Sequence, residues 1–163
     1  MAEYELDRAD CRILEIIQKD GRISNVDLAG HVALSPSPCL RRLSRLEESG
    51  IIAQYVALVD PAKVGLGLIA HCEVMLDKKA PEARAAFRDA VLSWPEVLTC
   101  YALTGHWDYL LKVITQDLNQ YSRFVMEQLL ALPVVANVQS SFVLEKVKES
   151  TALTLTHLPA MRG

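Results

Sequence analysis

Three arginines lie close together in a stretch that contains no acidic residue. Arg41, Arg42 and Arg45 fall within residues 35–46, and the nearest acids follow them. A guanidinium group can clamp a phosphate or bridge the edge of a guanine, and a hydroxyl such as that of Ser37 can bind a phosphate oxygen. The stretch is therefore a candidate for contact with nucleic acid. A charged helix face that only meets water is the alternative.

A second polar group surrounds a glycine in the latter half of the chain, in the sequence Thr104-Gly105-His106-Trp107-Asp108-Tyr109. A glycine lets backbone N–H groups approach a ligand closely, and such groups suit a carboxylate. The carboxylate of Asp108 suits an ammonium group. Together these groups match the two ends of a free amino acid. A plain hairpin turn with a surface acid and a packed tryptophan is the alternative interpretation.

The other reactive residue types form no recognisable catalytic or metal-binding pattern. The four cysteines are scattered without a C-x-x-C pair, at Cys11, Cys39, Cys72 and Cys100. The four histidines are equally dispersed, and there is no glycine-rich phosphate loop. The pattern is typical of free thiols in a cytosolic protein. We expect no metal, no cofactor and no enzymatic activity.

The first fifty residues are predicted to form three short helices. Apolar residues recur at helical spacing over residues 6–17, and Asp20-Gly21 ends that pattern. Ser24 precedes a second helix that runs to residue 32, with a weak capping box.

The third helix would carry the arginines. Ser35 is predicted to cap it, Pro36 to occupy its first turn and Gly50 to end it. Its apolar stripe would be formed by Cys39, Leu43 and Leu46, with Leu40 beside it, and the arginines would lie on the opposite face. Such a face is what a helix-turn-helix protein presents to the major groove.

The second half alternates between strand and helix patterns. Strands are predicted over residues 66–76, 97–104, 107–115 and 134–147. Helices are predicted after Pro81 and before Pro133. This β-α-β-β-α-β order is the ferredoxin-like arrangement, with two helices on one side of a four-stranded antiparallel sheet. A second copy of the chain is the simplest cover for the other face.

Composition and charge agree with a globular chain in two parts. Hydrophobic residues make up 51% and charged residues 23%, and the net charge is -3. We expect a first domain over residues 1–50, a linking segment over residues 51–65 that begins with a strand at 51–59, and a second domain over residues 66–163. No apolar stretch is long enough to predict a membrane span, and the N-terminus has no signal-peptide pattern.

The chain resembles the Lrp/AsnC, or feast/famine, family of bacterial transcription factors along nearly its whole length. In the first half the resemblance rests on Leu6-Asp7, Asp10, Ile13-Leu14, residues 18–22, Leu28-Ala29, residues 34–43, Arg45-Leu46-Glu47 and Gly50-Ile51-Ile52. In the second half it rests on Trp94-Pro95-Glu96-Val97, Cys100-Tyr101, Thr104-Gly105, residues 108–113 and Ser141-Phe142-Val143-Leu144. Single motifs of this kind are weak, but their shared order across two domains is specific.

This resemblance implies an α+β protein with an N-terminal winged helix-turn-helix and a C-terminal ferredoxin-like domain that senses an amino acid. Double-stranded DNA would be its macromolecular partner. The matching DNA-binding residues are Ser35, Ser37, Pro38, Arg41, Arg42 and Arg45. The matching effector residues are Thr104, Gly105, His106, Trp107, Asp108 and Tyr109, joined by Gln139 and Ser140 from a neighbouring subunit.

The resemblance also implies homodimers that pair through their sheets and assemble into octamers, in the bacterial cytoplasm and at the nucleoid. The effector site would then be incomplete in a single chain. His106 and Trp107 form a bulky pair where the family often has an acid or a small polar residue, which leaves the identity of the effector open. A ligand-independent regulator and an amino-acid sensor without DNA binding are the alternatives.

Overall fold

A computed structural model describes residues 5–77 and 80–161 of the chain. The chain divides into two compact units. Residues Met1–Leu58 and Lys148–Gly163 form the first unit, and Val59–Val147 form the second.

The first unit contains the three predicted helices, which are α1 (Arg8–Ile17), α2 (Asn25–His31) and α3 (Pro36–Glu48). Asp7 and Asp10 form a reciprocal capping box at the start of α1, with N···O distances of 2.9 and 3.2 Å. The Ser24 hydroxyl accepts a hydrogen bond from the Asp27 backbone N–H at 3.1 Å and so caps α2. These side chains satisfy N–H groups that have no partner within the helix.

Apolar side chains from all three helices form the core of the first unit. Its buried members are Ile13, Leu14, Leu28, Ala29, Val32, Cys39 and Leu46. Leu43 is half-buried, as the predicted stripe requires, whereas Leu40 is exposed. Gly50 ends α3 with a φ of 75°, a conformation that a glycine adopts without strain.

The C-terminal segment packs on the first unit. The side-chain amide of Gln18 accepts a hydrogen bond from the Leu153 N–H at 2.6 Å and donates one to the Leu153 carbonyl at 3.3 Å. Leu155 packs against the core of this unit. The predicted second domain of residues 66–163 therefore differs from the structure, because residues 148–161 belong with the helices of the first unit.

The strand predicted over residues 51–59 is not formed. A strand needs the N–H and C=O groups of a neighbour, and no described segment of this chain pairs with these residues. Their side chains stay largely in solvent, including Val56, Leu58 and Val59. A short 3₁₀ turn at Ala62–Val64 follows, before Gly65 with a φ of 82°.

The second unit has the predicted β-α-β-β-α-β order. Its elements are β1 (Leu68–Leu76), α4 (Pro81–Ser93), β2 (Val97–Ala102), β3 (Tyr109–Thr115), α5 (Leu118–Arg123) and β4 (Val135–Phe142). A π-helical turn at Phe124–Leu129 continues α5. The strands form one antiparallel sheet in the order β2-β3-β1-β4, so β2 and β4 are its edges. The ferredoxin-like fold is confirmed.

Both helices of the second unit pack on the same face of the sheet. Ala70, Cys72 and Val74 point from β1 into a core that also contains Phe87 from α4 and Phe124. The residues between them on β1 point to the other face and are half-buried. The predicted last strand is shorter than expected, because β4 ends at Phe142 and leaves Leu144 98% exposed.

Candidate functional site

The start of α3 has few backbone donors of its own. Pro36 and Pro38 are the first and third residues of the helix and lack N–H groups. Ser35 occupies the N-cap position, but its side chain makes no capping hydrogen bond, contrary to the prediction. An N-cap serine side chain usually accepts a hydrogen bond from the backbone N–H of the third helical residue, but here that residue is Pro38, which has no N–H. The exposed Ser35 and Ser37 hydroxyls therefore stand at a helix whose first three residues offer a single N–H, that of Ser37.

The beginning of α3 is held by α2. The Asn25 side-chain amide donates a hydrogen bond to the Pro36 carbonyl at 2.9 Å. This bond joins the first turns of the two helices that form the helix-turn-helix. It fixes where the polar face of α3 begins.

The three arginines of α3 occupy two different environments. Arg41 and Arg45 are exposed, and Arg41 forms no side-chain hydrogen bond or ion pair with the described residues. The Arg42 guanidinium instead contacts α1, with its Nη1 at 2.6 Å from Asp7 Oδ2 and 2.9 Å from Asp10 Oδ1. Placing Arg42 with Arg41 and Arg45 on the face opposite the apolar stripe was wrong. Successive helical residues are about 100° apart, so Arg42 lies beside the buried Leu46.

The ion pair of Arg42 includes a buried carboxylate. The Asp10 side chain is 2% exposed, whereas those of Asp7 and Arg42 are 52% and 28% exposed. Burial raises the pKa of Asp7, but the Asp10 N–H and the Arg42 guanidinium outweigh it and lower that pKa below its ordinary value. The two carboxylates in turn raise the pKa of Arg42. This cluster holds α3 against the start of α1.

The second candidate site is the loop between β2 and β3. The strands end at Ala102 and resume at Tyr109, so the loop is longer than the tight turn predicted around Gly105. The Leu103 N–H donates to the Asp108 carbonyl at 2.8 Å and closes the loop. Gly105 has a φ of 111°, which favours glycine.

The tip of this loop leaves several backbone donors unused. The N–H groups of residues 104–107 make no hydrogen bond to any described residue. Thr104, Gly105 and His106 are exposed, and Trp107 is half-buried. The His106 and Trp107 rings meet edge to face at 5.2 Å. Successive free N–H groups around a glycine form a concave donor surface that suits an anion.

Asp108 anchors the loop to the sheet. Its Oδ2 accepts a hydrogen bond from the Leu76 N–H at 2.9 Å, and its own N–H donates to the Val74 carbonyl at 2.9 Å. Asp108 therefore extends the hydrogen bonding between β1 and β3 to the residue just before β3 begins. It is held in place before any ligand arrives, and it is half-buried.

Three other residues that resemble family effector contacts lie apart from the loop tip. The Tyr109 ring is 6% exposed and packs on Phe87 with a centroid distance of 4.6 Å, so it belongs to the core. Ser140 accepts a hydrogen bond from the Tyr121 hydroxyl at 2.5 Å on the helix side of the sheet. Gln139, its neighbour on β4, points to the opposite face. The side chains of Gln139 and Ser140 therefore point to opposite faces of the sheet, and their place in an effector site stays a prediction.

Two features of these sites were missed in the sequence. The pairing of Arg42 with Asp7 and Asp10 could have been found by placing α3 on a helical wheel, which sets Arg42 next to the apolar stripe. The free N–H groups of residues 104–107 have no sequence signal beyond Gly105. Across residues 5–77 and 80–161, no three His, Cys, Asp or Glu side chains cluster as metal ligands would. No helix in those ranges is long and apolar enough to cross a membrane.

Known proteins of similar sequence and structure match both parts of the chain. Residues 69–153 match the Lrp/AsnC ligand binding domain, and residues 6–53 match a winged helix-turn-helix DNA-binding domain. The leucine-responsive regulatory protein of Escherichia coli (strain K12) is 42% identical over 151 residues, which are 93% of this chain and 92% of that protein.

Two solved structures extend the similarity to three dimensions. A transcriptional regulator from Neisseria meningitidis, in complex with L-Met, is 51% identical with a TM-score of 0.91, and the match covers 94% of this chain and 99% of that one. An AsnC family regulator from Agrobacterium tumefaciens is 35% identical with a TM-score of 0.88 and the same coverage. The chain belongs to the Lrp/AsnC family, and it is a DNA-binding transcriptional regulator with a ligand-binding domain.

Proposed function

We propose that the effector of this regulator is a free amino acid, and that its carboxylate binds the N–H groups of residues 104–107. The observation that carries the proposal is the run of unused donors around Gly105. A carboxylate accepts such hydrogen bonds more strongly than a neutral oxygen does, because the acceptor is charged. The loop needs no change in its own hydrogen bonds to receive it.

The ammonium group and side chain of the effector need partners that the loop tip does not supply. Asp108 is already fixed by the Leu76 N–H, so we assign it the role of positioning the loop. The remaining contacts would come from a neighbouring copy of the chain. If the effector binds two assemblies of the chain with different affinities, its binding would favour the assembly that it binds more tightly.

L-Methionine is the first effector to test, because the Neisseria meningitidis regulator of similar structure was solved with L-Met. L-Leucine is the second, because the Escherichia coli relative is leucine-responsive. The experiment is a gel shift on the DNA upstream of this chain's own gene, repeated with each of the twenty amino acids. We expect one or a few amino acids to change the affinity or the pattern of shifted complexes.

The same gel shift separates the alternatives. Binding to DNA with no response to any amino acid would support a ligand-independent regulator and contradict the effector proposal. Calorimetric titration with the responding amino acid then measures effector binding without DNA. Saturable binding of that amino acid is expected for the wild-type chain.

For the DNA face we propose that Arg41 and Arg45 contact phosphates or base edges. Ser35, Ser37 and Pro38, at the start of α3, would face the sugar–phosphate backbone of the DNA. The exposure of the two arginines supports this assignment. Arg42 contributes indirectly by holding α3 on α1. In a dimer, two such helices would enter successive turns of the major groove, about 34 Å apart.

For the assembly we propose a homodimer in which the half-exposed sheet faces pack together, and an octamer built from such dimers. The face of β1 that includes His71 and Glu73 has no helix over it in the described structure. Light scattering is expected to give a mass well above that of a dimer. A stable monomer would contradict the assembly.

A further inference from the structure

A groove runs between α4 and the edge strand β2, and the proposed function does not use it. Its volume is about 500 Å³. Arg84 and Arg88 line one side, and Cys100, Ala102 and Tyr109 line the sheet side. Pockets of this size hold small organic ligands.

The positive charges of Arg84 and Arg88 repel each other unless an anion lies between them. Arg84 and Arg88 are one turn apart on α4, and like charges at this spacing repel each other. Both are exposed, and neither forms an ion pair within the described part of the chain. No carboxylate of the described residues lines the groove. The groove is therefore positively charged, with donors free to bind a carboxylate.

The rest of the lining is apolar. Val91 and Tyr109 are buried, and the Tyr109 ring is fixed by its contact with Phe87. Leu92 stands at the rim with 85% of its surface exposed. Because Val91 and Tyr109 are already buried, the surface that an apolar body would remove from water is mainly that of Leu92 and Ala102, which are exposed. A phosphate or another small inorganic anion would leave this surface uncovered.

We propose that this groove binds an organic monocarboxylate with an aliphatic or aromatic body and no amino group. The carboxylate would lie between the Arg84 and Arg88 guanidinium groups, and the body would lie on Val91, Ala102 and Tyr109. An amino acid is disfavoured here, because its ammonium group would meet two cations and no acid. The site is thus distinct in chemistry from the loop tip, where backbone donors surround Gly105.

The groove also lies next to the effector loop in the chain. Ala102 ends β2 and Tyr109 begins β3, so both ends of the loop contribute to the groove. A ligand on these two residues touches the same hairpin that carries residues 104–107. One domain would in this way receive two classes of small molecule.

Cys100 provides a direct probe of occupancy. It is half-buried in the groove, whereas Cys11, Cys39 and Cys72 are buried. Burial raises the pKa of the Cys100 thiol and the nearby Arg88 opposes that change. The test is the rate of alkylation of Cys100 by iodoacetamide, followed by mass spectrometry of its peptide, with 4-methyl-2-oxopentanoate as the probe ligand. We expect the ligand to slow alkylation several-fold, and 3-methylbutan-1-amine to have no effect.

Matched variants test whether the two arginines hold the carboxylate. The double variant Arg84→Gln/Arg88→Gln is expected to raise the ligand concentration needed for half-protection by about tenfold or more, since charged hydrogen bonds are lost. Each variant is compared with itself without ligand, because Arg88 also affects the thiol. Arg123→Gln, an exposed arginine on α5, should leave protection unchanged. Protection is measured with no amino acid present, which keeps this result independent of the effector proposal.

Several results would overturn the proposal. Absence of protection at about 10 mM ligand would exclude a site of useful affinity. Equal protection by the amine, or by the ligand in the double variant, would show that the arginines do not select a carboxylate. Protection that grows with protein concentration without ligand would show that a second copy of the chain covers the groove instead.

Discussion

Neighbouring arginines on α3 have different physical roles, and their positions around the helix decide which role each takes. Arg41 points to solvent, whereas Arg42 lies beside the buried stripe and reaches Asp7 and Asp10. A count of basic residues treats the two as equivalent. Their environments predict that their loss will affect different properties of the protein.

Arg42→Ala is expected to destabilise the first unit by about 1–3 kcal/mol, because Asp10 would stay buried without its counter-charge. Hydrogen exchange of α1 and α3 amides measures this local stability. Arg41→Ala is the matched control, and it should change stability by less than about 0.5 kcal/mol while weakening DNA binding. Equal exchange rates in the Arg42 variant and the wild type would show that the ion pair contributes nothing.

The lowered pKa of Asp7 predicts that acid weakens the ion pair between Asp7 and Arg42. Its pKa is lower in the folded chain than the ordinary 3.8, so its stabilising effect is present above that pH and is lost as the pH falls through the folded value. We expect the exchange protection of α1 to fall as the pH drops below about 4. Asp7→Asn keeps a capping oxygen but cannot titrate, so its protection should fall less over this range. Parallel pH profiles would contradict the assignment.

Among the elements, those with local causes could be predicted from the sequence. The three helices of the first unit follow from apolar spacing and from caps such as Ser24, and the order of the second unit follows from alternation in β1. Residues 51–59 are β-prone yet form no strand, because pairing depends on a partner segment that the pattern does not reveal. The packing of Leu155 on the first unit is also a long-range contact without a local signal.

The candidate site, like the fold, could be predicted only where its features have a local cause in the sequence. Gly105 marked the loop between β2 and β3, because a positive φ has a residue-level signature. The start of β3 turns the Tyr109 ring into the core, and a contact between Tyr109 and the effector stays a prediction. Side-chain direction in a loop of unknown length is not specified by residue type. The length became known only from where β2 and β3 end.

Gly105→Ala is expected to reduce amino-acid binding while the sheet remains folded. A Cβ there would meet nothing within 4 Å, so the cost comes from the backbone conformation alone, about 1–3 kcal/mol at a φ of 111°. The loop would relax and lose the arrangement of its free N–H groups. Calorimetric titration with the responding amino acid measures the loss of binding, and thermal unfolding checks that the sheet remains folded.

Gly30→Ala is the matched control for this change. Gly30 lies in α2, its added Cβ would also meet nothing within 4 Å, and its φ is not positive. It should raise stability by about 0.4–1 kcal/mol and leave effector binding intact. An unchanged titration in the Gly105 variant would remove the loop tip from the effector site.

At the scale of the whole molecule, the charge balance limits how strongly one copy of the proposed dimer can hold DNA. Residues 1–50 contain 7 Lys or Arg against 9 Asp or Glu, and the whole chain has a net charge of -3. The DNA face that we propose relies on the exposed Arg41 and Arg45, whereas Arg42 is bound to Asp7 and Asp10. Few phosphate contacts give weak binding that depends on salt.

We therefore expect a DNA fragment with several phased sites to bind far more tightly than a fragment with one site, because linked dimers bind with a high effective concentration. Fluorescence anisotropy over a series of salt concentrations measures both affinity and salt dependence. Removing one phosphate contact per subunit by Arg41→Ala should reduce the slope of log K against log salt by about 2 for each dimer bound, since each contact contributes about 0.9. Arg42→Ala should leave that slope nearly unchanged, provided α3 stays folded. Equal affinity for the single-site and multiple-site fragments would show that the dimer alone is the binding unit, and would contradict an octamer as the form that occupies DNA.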